Sequence, residues 1–271
     1  MYSLCHLVPA GRPETMELVV LGDPHYGSAG QDRRLIHRCI KYAMETDNAY
    51  LITVGDNLDL SIAGKHGAIG DTMSVNEALD LFRSDFRDIA TAGKFLGTVP
   101  GNHDKRVTKA TGSVCDLVEQ TINEWNDAYN LNIVYGDPGM ILDFRVGKSC
   151  FVGYVTHGSG GGGTAGASVN ANEKSLNVLN DADFYLQGHF HRVNFSGGDR
   201  IFYDRIKRKI GYQFQQMFTA GHCLKYEGYP REFRLKYVRP SALILRFEAS
   251  PETNHKKPKR ITHEWIYGEP E

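Results

Sequence analysis

Met16–His25 reads MELVVLGDPH: a short apolar run, a glycine, then an aspartate and a histidine two residues apart. The run is too short for a helix, so it reads as a buried strand that ends in a turn carrying polar groups. Downstream, Gln31–Thr46 puts Leu35, Ile36, Cys39, Ile40, Ala43 and Met44 at helical spacing. Tyr50–Gly55 (YLITVG) is a second buried strand. Ser74–Ala92 is a second helix: Ser74 and Glu77 form a capping box and Gly93 closes the far end. Lys94–Val99 follows as a strand, then Ser113–Asn130 as a helix. Strands that alternate with helices predict an α/β fold with parallel strands and helical crossovers.

The second half is richer in strands. Met140–Arg145, Cys150–Thr156, Asp183–Gln187, Gln213–Ala220, Ala242–Glu248 and Thr262–Tyr267 are the candidates, with a helix expected over Asn172–Asp181. With no internal repeat and no long linker, residues 16–271 read as one domain containing two sheets, and residues 1–15 as an N-terminal extension.

Bulk composition narrows the function. The formal net charge of the 271 residues is −1, so no global imbalance draws the chain to nucleic acid or membrane. The five cysteines form no CxxC pair, which argues against a disulfide framework and against a thiolate zinc site. No apolar run has membrane-spanning length and Met1–Met16 has no signal-peptide pattern, so a cytoplasmic protein is expected.

The chemistry sits at the strand ends. MELVVLG leads to Asp23-Pro24-His25, YLITVG to Asp56-Asn57, KFLGTVPG to Asn102-His103-Asp104, FVGYVT to His157-Gly158, and DFYLQG to His189-Phe190-His191. Open α/β sheets bind ligands beyond the carboxyl ends of their strands, so these five turns should converge. Carboxylate, imidazole and amide oxygen suit Mn²⁺, Fe or Zn²⁺, and Ni²⁺ is also compatible; a bridging carboxylate can hold two such ions.

GDPHYG, GDNLD, GNHD, THG and GHFH, in this order between Gly22 and His191, resemble the signatures of the calcineurin-like metallophosphoesterase family, in the compact versions carried by bacteria and their phages. That resemblance implies a four-layer α-β-β-α sandwich of two mixed sheets. It implies two divalent ions, Mn²⁺ first. One would be held by Asp23, His25, Asp56 and His191, the other by Asp56, Asn102, His157 and His189. His103 would then be the general acid or a stabiliser of phosphoryl charge, oriented by Asp104, and a metal-bridged hydroxide would attack phosphorus. Asn102, His103 and Arg106 would contact the substrate, a phosphate ester such as a nucleic acid or nucleotide.

A phosphodiesterase or nuclease-like enzyme is the first reading, because Lys105 and Arg106 follow GNHD directly and arginine-rich segments lie downstream. A phosphomonoesterase and a non-catalytic metal-binding scaffold are the alternatives. Several features carry two readings. Lys105 and Arg106 attract substrate phosphate or form a solvated pair, and Asp59 supports a ligand loop or caps a turn. The glycine-rich Ser159–Gly166 is a lid or a plain surface loop; the basic run Arg205–Lys209 is a nucleic-acid surface or a solvated face. His222, in AGHC, overhangs the site or is structural, the structural reading being favoured.

Overall fold

The computed structural model describes residues 2–60, 73–113, 115–161, 164–206, 208–226, 236–250 and 259–269. The basic turn expected over 251–258, the middle of the glycine-rich loop at 162–163 and Lys207 of the basic run lie outside them. The elements in order are β1 Ser3–Leu7, β2 Thr15–Leu21, α1 Arg33–Glu45, β3 Ala49–Thr53, α2 Val75–Thr91, β4 Phe95–Thr98, α3 Lys105–Thr111, α4 Leu117–Tyr129 and β5 Val134–Tyr135. Then come β6 Met140–Val146, β7 Ser149–Thr156, α5 Ala165–Glu173, a 3₁₀ turn Lys174–Asn177, β8 Phe184–Gln187, β9 Val193–Asp204, β10 Lys209–Ala220, β11 Ser241–Glu248 and β12 Arg260–Tyr267.

The strands form two mixed six-stranded sheets, ordered β12-β11-β2-β3-β4-β5 and β1-β6-β7-β8-β10-β9. Within the first, β2, β3, β4 and β5 run parallel; within the second, β7, β8 and β10 do. The period-two alternation of a strand sorts the first sheet's side chains. Leu18, Val20 and Ile52 meet Leu142, Phe144, Phe184 and Leu186 of the second sheet, while Val19, Leu21 and Leu51 pack with Leu35, Phe82, Phe86 and Trp125 of the helices. Phe247 is fully buried in the shared core, with ring centroids 5.2 Å from Phe151, 5.2 Å from Phe184 and 5.6 Å from Phe144. Phe247→Ala is expected to cost about 3–5 kcal/mol in denaturant unfolding, and a loss under about 1 kcal/mol would deny that this cluster joins the sheets.

Four expectations need correction. Residues 3–7 are not an extension: β1 pairs in parallel with β6 from Ser3↔Met140 to Leu7↔Phe144. The helix expected over Asn172–Asp181 lies earlier, as α5, because the Thr164 hydroxyl accepts the Ala167 N–H (3.3 Å) and starts a helix directly out of the glycine-rich loop. The helix expected from Ser113 begins at Leu117, where the Asp116 carboxylate accepts from both Val118 and Glu119 N–H at 2.9 Å. The expected strands pass from Asp183–Gln187 directly to Gln213–Ala220, but β9 lies between them and pairs in register with β10 along its whole length, through Ser196-Gly197-Gly198-Asp199. No helix among the described residues is long and apolar enough to cross a membrane.

Candidate metal centre

All five polar turns open at one place. Asp23 and His25 leave β2, Asp56 leaves β3 and Asn102 leaves β4, three parallel neighbours; His157 leaves β7 and His189 with His191 leaves β8, a parallel pair in the other sheet. Five of these residues adopt left-handed backbone: Asp23 (φ 43°), His25 (47°), Asp56 (47°), His189 (70°) and His191 (48°). Such conformations are costly for residues with a side chain and persist where surrounding structure over-determines them. Two glycines make the approach possible. A Cβ on Gly101 would lie 2.0 Å from the Asp56 backbone nitrogen, and one on Gly188 would lie 2.5 Å from Asp23 Oδ1.

The donor atoms fall into two sets that share Asp56 Oδ2. In the first, His25 Nε2 lies 3.2 Å from His191 Nε2 and 3.9 Å from Asp56 Oδ2, and His191 Nε2 lies 3.4 Å from Asp23 Oδ2. In the second, His157 Nε2 lies 3.3 Å from Asp56 Oδ2 and 3.1 Å from Asn102 Oδ1, which is 2.9 Å from His189 Nδ1. Donors about 2.1 Å from one ion lie roughly 3.0–3.4 Å apart, so most of these spacings are those of atoms aimed at a common centre. Four of the atoms not aimed there are occupied. Asp23 Oδ1 accepts the His189 N–H (3.1 Å), Asp56 Oδ1 the His103 N–H (2.7 Å); His157 Nδ1 faces the Val54 carbonyl (2.8 Å) and His189 Nε2 that of Gly160 (2.7 Å). Fixing the far atom of each ligand is how a metal site sets ring orientation and tautomer.

Electrostatics point the same way. Asp23 is fully buried, and its Oδ2 has no hydrogen-bond donor among the described residues. Burial pushes its carboxyl up to about 7; His157 pulls it down, and the charge of Asp56 pushes it further up. Burial also penalises the Asp56 carboxylate, but His157, His25 and His103 outweigh it and hold the group well below its ordinary value. Two carboxylates and four imidazoles around an orphaned anionic oxygen form a donor set suited to divalent cations, with no thiol in it.

His103 stands beside the first set, its ring edge-on to His25 at 4.7 Å. Its orienting partner is not Asp104. Asp59 Oδ1 lies 2.5 Å from His103 Nδ1, whereas the buried Asp104 carboxylate accepts backbone N–H groups of Leu58 (2.9 Å), Gly101 (2.9 Å) and Asn57 (3.2 Å). Asp104 therefore ties the Asp56 turn to the Asn102 turn. Asp59, His25 and His103 also lie close enough together to suggest a cation site. We read them as a hydrogen-bonded cluster, because Asp59 is engaged by His103 and His25 turns its other nitrogen to the ligand set. Arg106 Nη2 lies 2.8 Å from His103 Nε2 and Nη1 donates to the Leu60 carbonyl at 3.3 Å. A guanidinium only donates, so here His103 Nε2 accepts and Nδ1 carries the proton given to Asp59. Burial lowers the His103 pKa, with Asp59 acting against it.

Lys105 is paired to Asp137 at 2.7 Å. His222 stacks on His191, ring centroids 5.1 Å apart and 19° from parallel, so it belongs to the wall of the site rather than to a distant core. Its only sequence signal was a position at the end of a strand.

No protein-family model and no curated protein matches the sequence. Among solved structures, the chain is similar to Vps29 of Chaetomium thermophilum, at 11% identity and TM-score 0.38, over 93% of this chain and 97% of that one. It is also similar to the same organism's Vps29 complexed with a cyclic peptide, RT-D3, at 13% identity and TM-score 0.31, over 93% of this chain and 96% of that one. Likenesses of this size assign no function.

Proposed function

We propose that this protein is a metal-dependent phosphoesterase with two divalent ions, acting first on phosphodiesters. The observation that carries the reading is the pair of donor sets sharing Asp56 Oδ2, with His103 held against their edge by Asp59. In this reading the two sheets and their helices are the four-layer sandwich the resemblance implies, supported by one core between the sheets and another under α1, α2 and α4.

Divalent ions held there would acidify water and take up phosphoryl charge. The chain's own groups supply the rest. Arg106 offers a planar donor pair to a phosphoryl oxygen. When it turns to that oxygen, it releases His103 Nε2, which can then hold a proton towards the leaving oxygen while Asp59 keeps the ring in place. Asn102 presents its amide beside the same position. Asp104 acts through the backbone N–H groups of Gly101 and Leu58 and the Asn57 amide, keeping the two ligand turns in register.

With Mn²⁺ added, the protein is expected to hydrolyse bis-p-nitrophenyl phosphate faster than p-nitrophenyl phosphate. Chelation should abolish both activities and Mn²⁺ should restore them. Metal bound in full with neither ester turned over would sink the catalytic reading and leave a scaffold; a faster monoester would move the assignment to a phosphomonoesterase.

A further inference from the structure

Beside Asn102 and His157, a groove of about 400 Å³ leads away from the ligand turns. This is within the size range of small-ligand sites. Its walls differ in chemistry. Tyr154, Pro138 and Val178 give it apolar surface, while Lys105 and Lys109 come from α3 and Lys174 from the 3₁₀ turn after α5. Lys105 and Lys109 are one helical turn apart and share a face. Asp137 is the acid on this lining, and it is spent on Lys105. Among the described residues, Lys109 and Lys174 make no ion pair. A second hollow, about 310 Å³, continues past Lys105 and Lys109 but is lined by Asp116 and Glu119, so the cationic stretch ends with the first.

A lone phosphate monoester needs none of this. Two cations from separate chain segments, without an ion pair among the described residues and lining one groove with apolar and aromatic surface, suit a second phosphate with a base or sugar beside it. We propose that this groove is a second substrate subsite, holding the nucleotide next to the scissile phosphodiester of single-stranded nucleic acid. The proposal rests on the phosphodiesterase reading above and names its substrate class. Cations from two separate chain segments, beside apolar surface and within about 400 Å³, suit one strand rather than a duplex. The short cationic run limits the subsite to about one nucleotide step.

The test compares the protein with the double variant Lys109→Glu/Lys174→Glu, neither residue being part of the ligand set or the His103 cluster. Affinity for a fluorescent ten-nucleotide oligothymidylate is measured by anisotropy over a salt series, both proteins carrying His103→Ala so that the probe stays intact. The double variant is expected to bind about tenfold more weakly at 50 mM salt, with its salt slope reduced by about 1.4, two single-strand phosphate contacts at about 0.7 each. With His103 intact, hydrolysis of bis-p-nitrophenyl phosphate, too small to span to the lysines, should match the parent within about twofold. Equal oligonucleotide affinity and slope in both proteins would overturn the subsite. So would tighter binding of a duplex of the same length, or of linear polyphosphate, than of the single strand. Failure of the parent to hydrolyse the small diester, with lysine-dependent binding retained, would instead strike the phosphoesterase reading and leave the groove a nucleic-acid site.

Discussion

Asp56→Asn is expected to strip the protein of both ions, with affinity for divalent metal falling by at least about 100-fold. Loss of a residue that merely supports a ligand already costs about 10–100-fold, and Asp56 is placed to be a ligand to both. The isosteric amide separates this role from folding. Asp56 is 2% exposed, and its Oδ1 accepts the His103 N–H at 2.7 Å. An asparagine oxygen can keep that bond, so the Asn102 turn should hold its shape. The lost charge is the one facing His157 at 3.3 Å and His25 at 3.9 Å. Elemental analysis after gel filtration is the measurement, read against the parent's expected pair of ions. Normal stoichiometry in a folded Asp56→Asn protein would reject Asp56 as the bridge. Asp104→Asn is the matched control: equally buried, but engaged with the backbone N–H groups of Leu58 and Gly101 and with the Asn57 side-chain amide rather than with the ligand imidazoles, it should lower stability and leave the metal content intact.

The difference between those two aspartates marks the boundary of what the sequence discloses. The polar turns were legible because each stands directly after an apolar run, and parallel strands carry such ends to one edge. All seven proposed ligands come together there. The regular helices were legible for the same local reason, periodicity plus a cap, as the Ser74–Glu77 capping box shows. What failed was non-local. Nothing within Ser3–Leu7 announces a strand whose partner is Met140–Phe144. Gly197-Gly198 has the composition of a turn, yet there the strand is held by its neighbour, with Gly198 opposite Gln215. α3 is too short to show an apolar period. Asp104 adjoins His103 in the chain and was read as its partner; but successive residues on a turn point apart, and Asp59 reaches the ring from the neighbouring strand's loop.

His103→Ala is expected to lower turnover by about 10²–10⁴-fold with metal content unchanged, the range typical of a lost acid–base group. The size should depend on the leaving group. A p-nitrophenolate departs with little need for a proton, whereas an alkoxide such as a ribose oxygen needs one in the transition state. The full loss is therefore expected with a dinucleotide, and a much smaller one with bis-p-nitrophenyl phosphate. Equal losses on both would assign His103 to phosphoryl charge instead of proton transfer, and undiminished turnover of the dinucleotide would remove it from catalysis. Asp59→Ala supplies the companion result. Without the oxygen 2.5 Å from Nδ1, the ring loses the contact opposite Arg106, whose guanidinium lies 2.8 Å from Nε2. Once Arg106 turns to a phosphoryl oxygen, nothing then defines which nitrogen carries the proton. A positioning residue of this kind should cost turnover of the dinucleotide more than its KM, and should add little once His103 is already alanine, because the two act as one unit. Losses that multiply fully in the double variant would mean that Asp59 serves the site by another route, such as its 3.8 Å approach to His25 Nδ1.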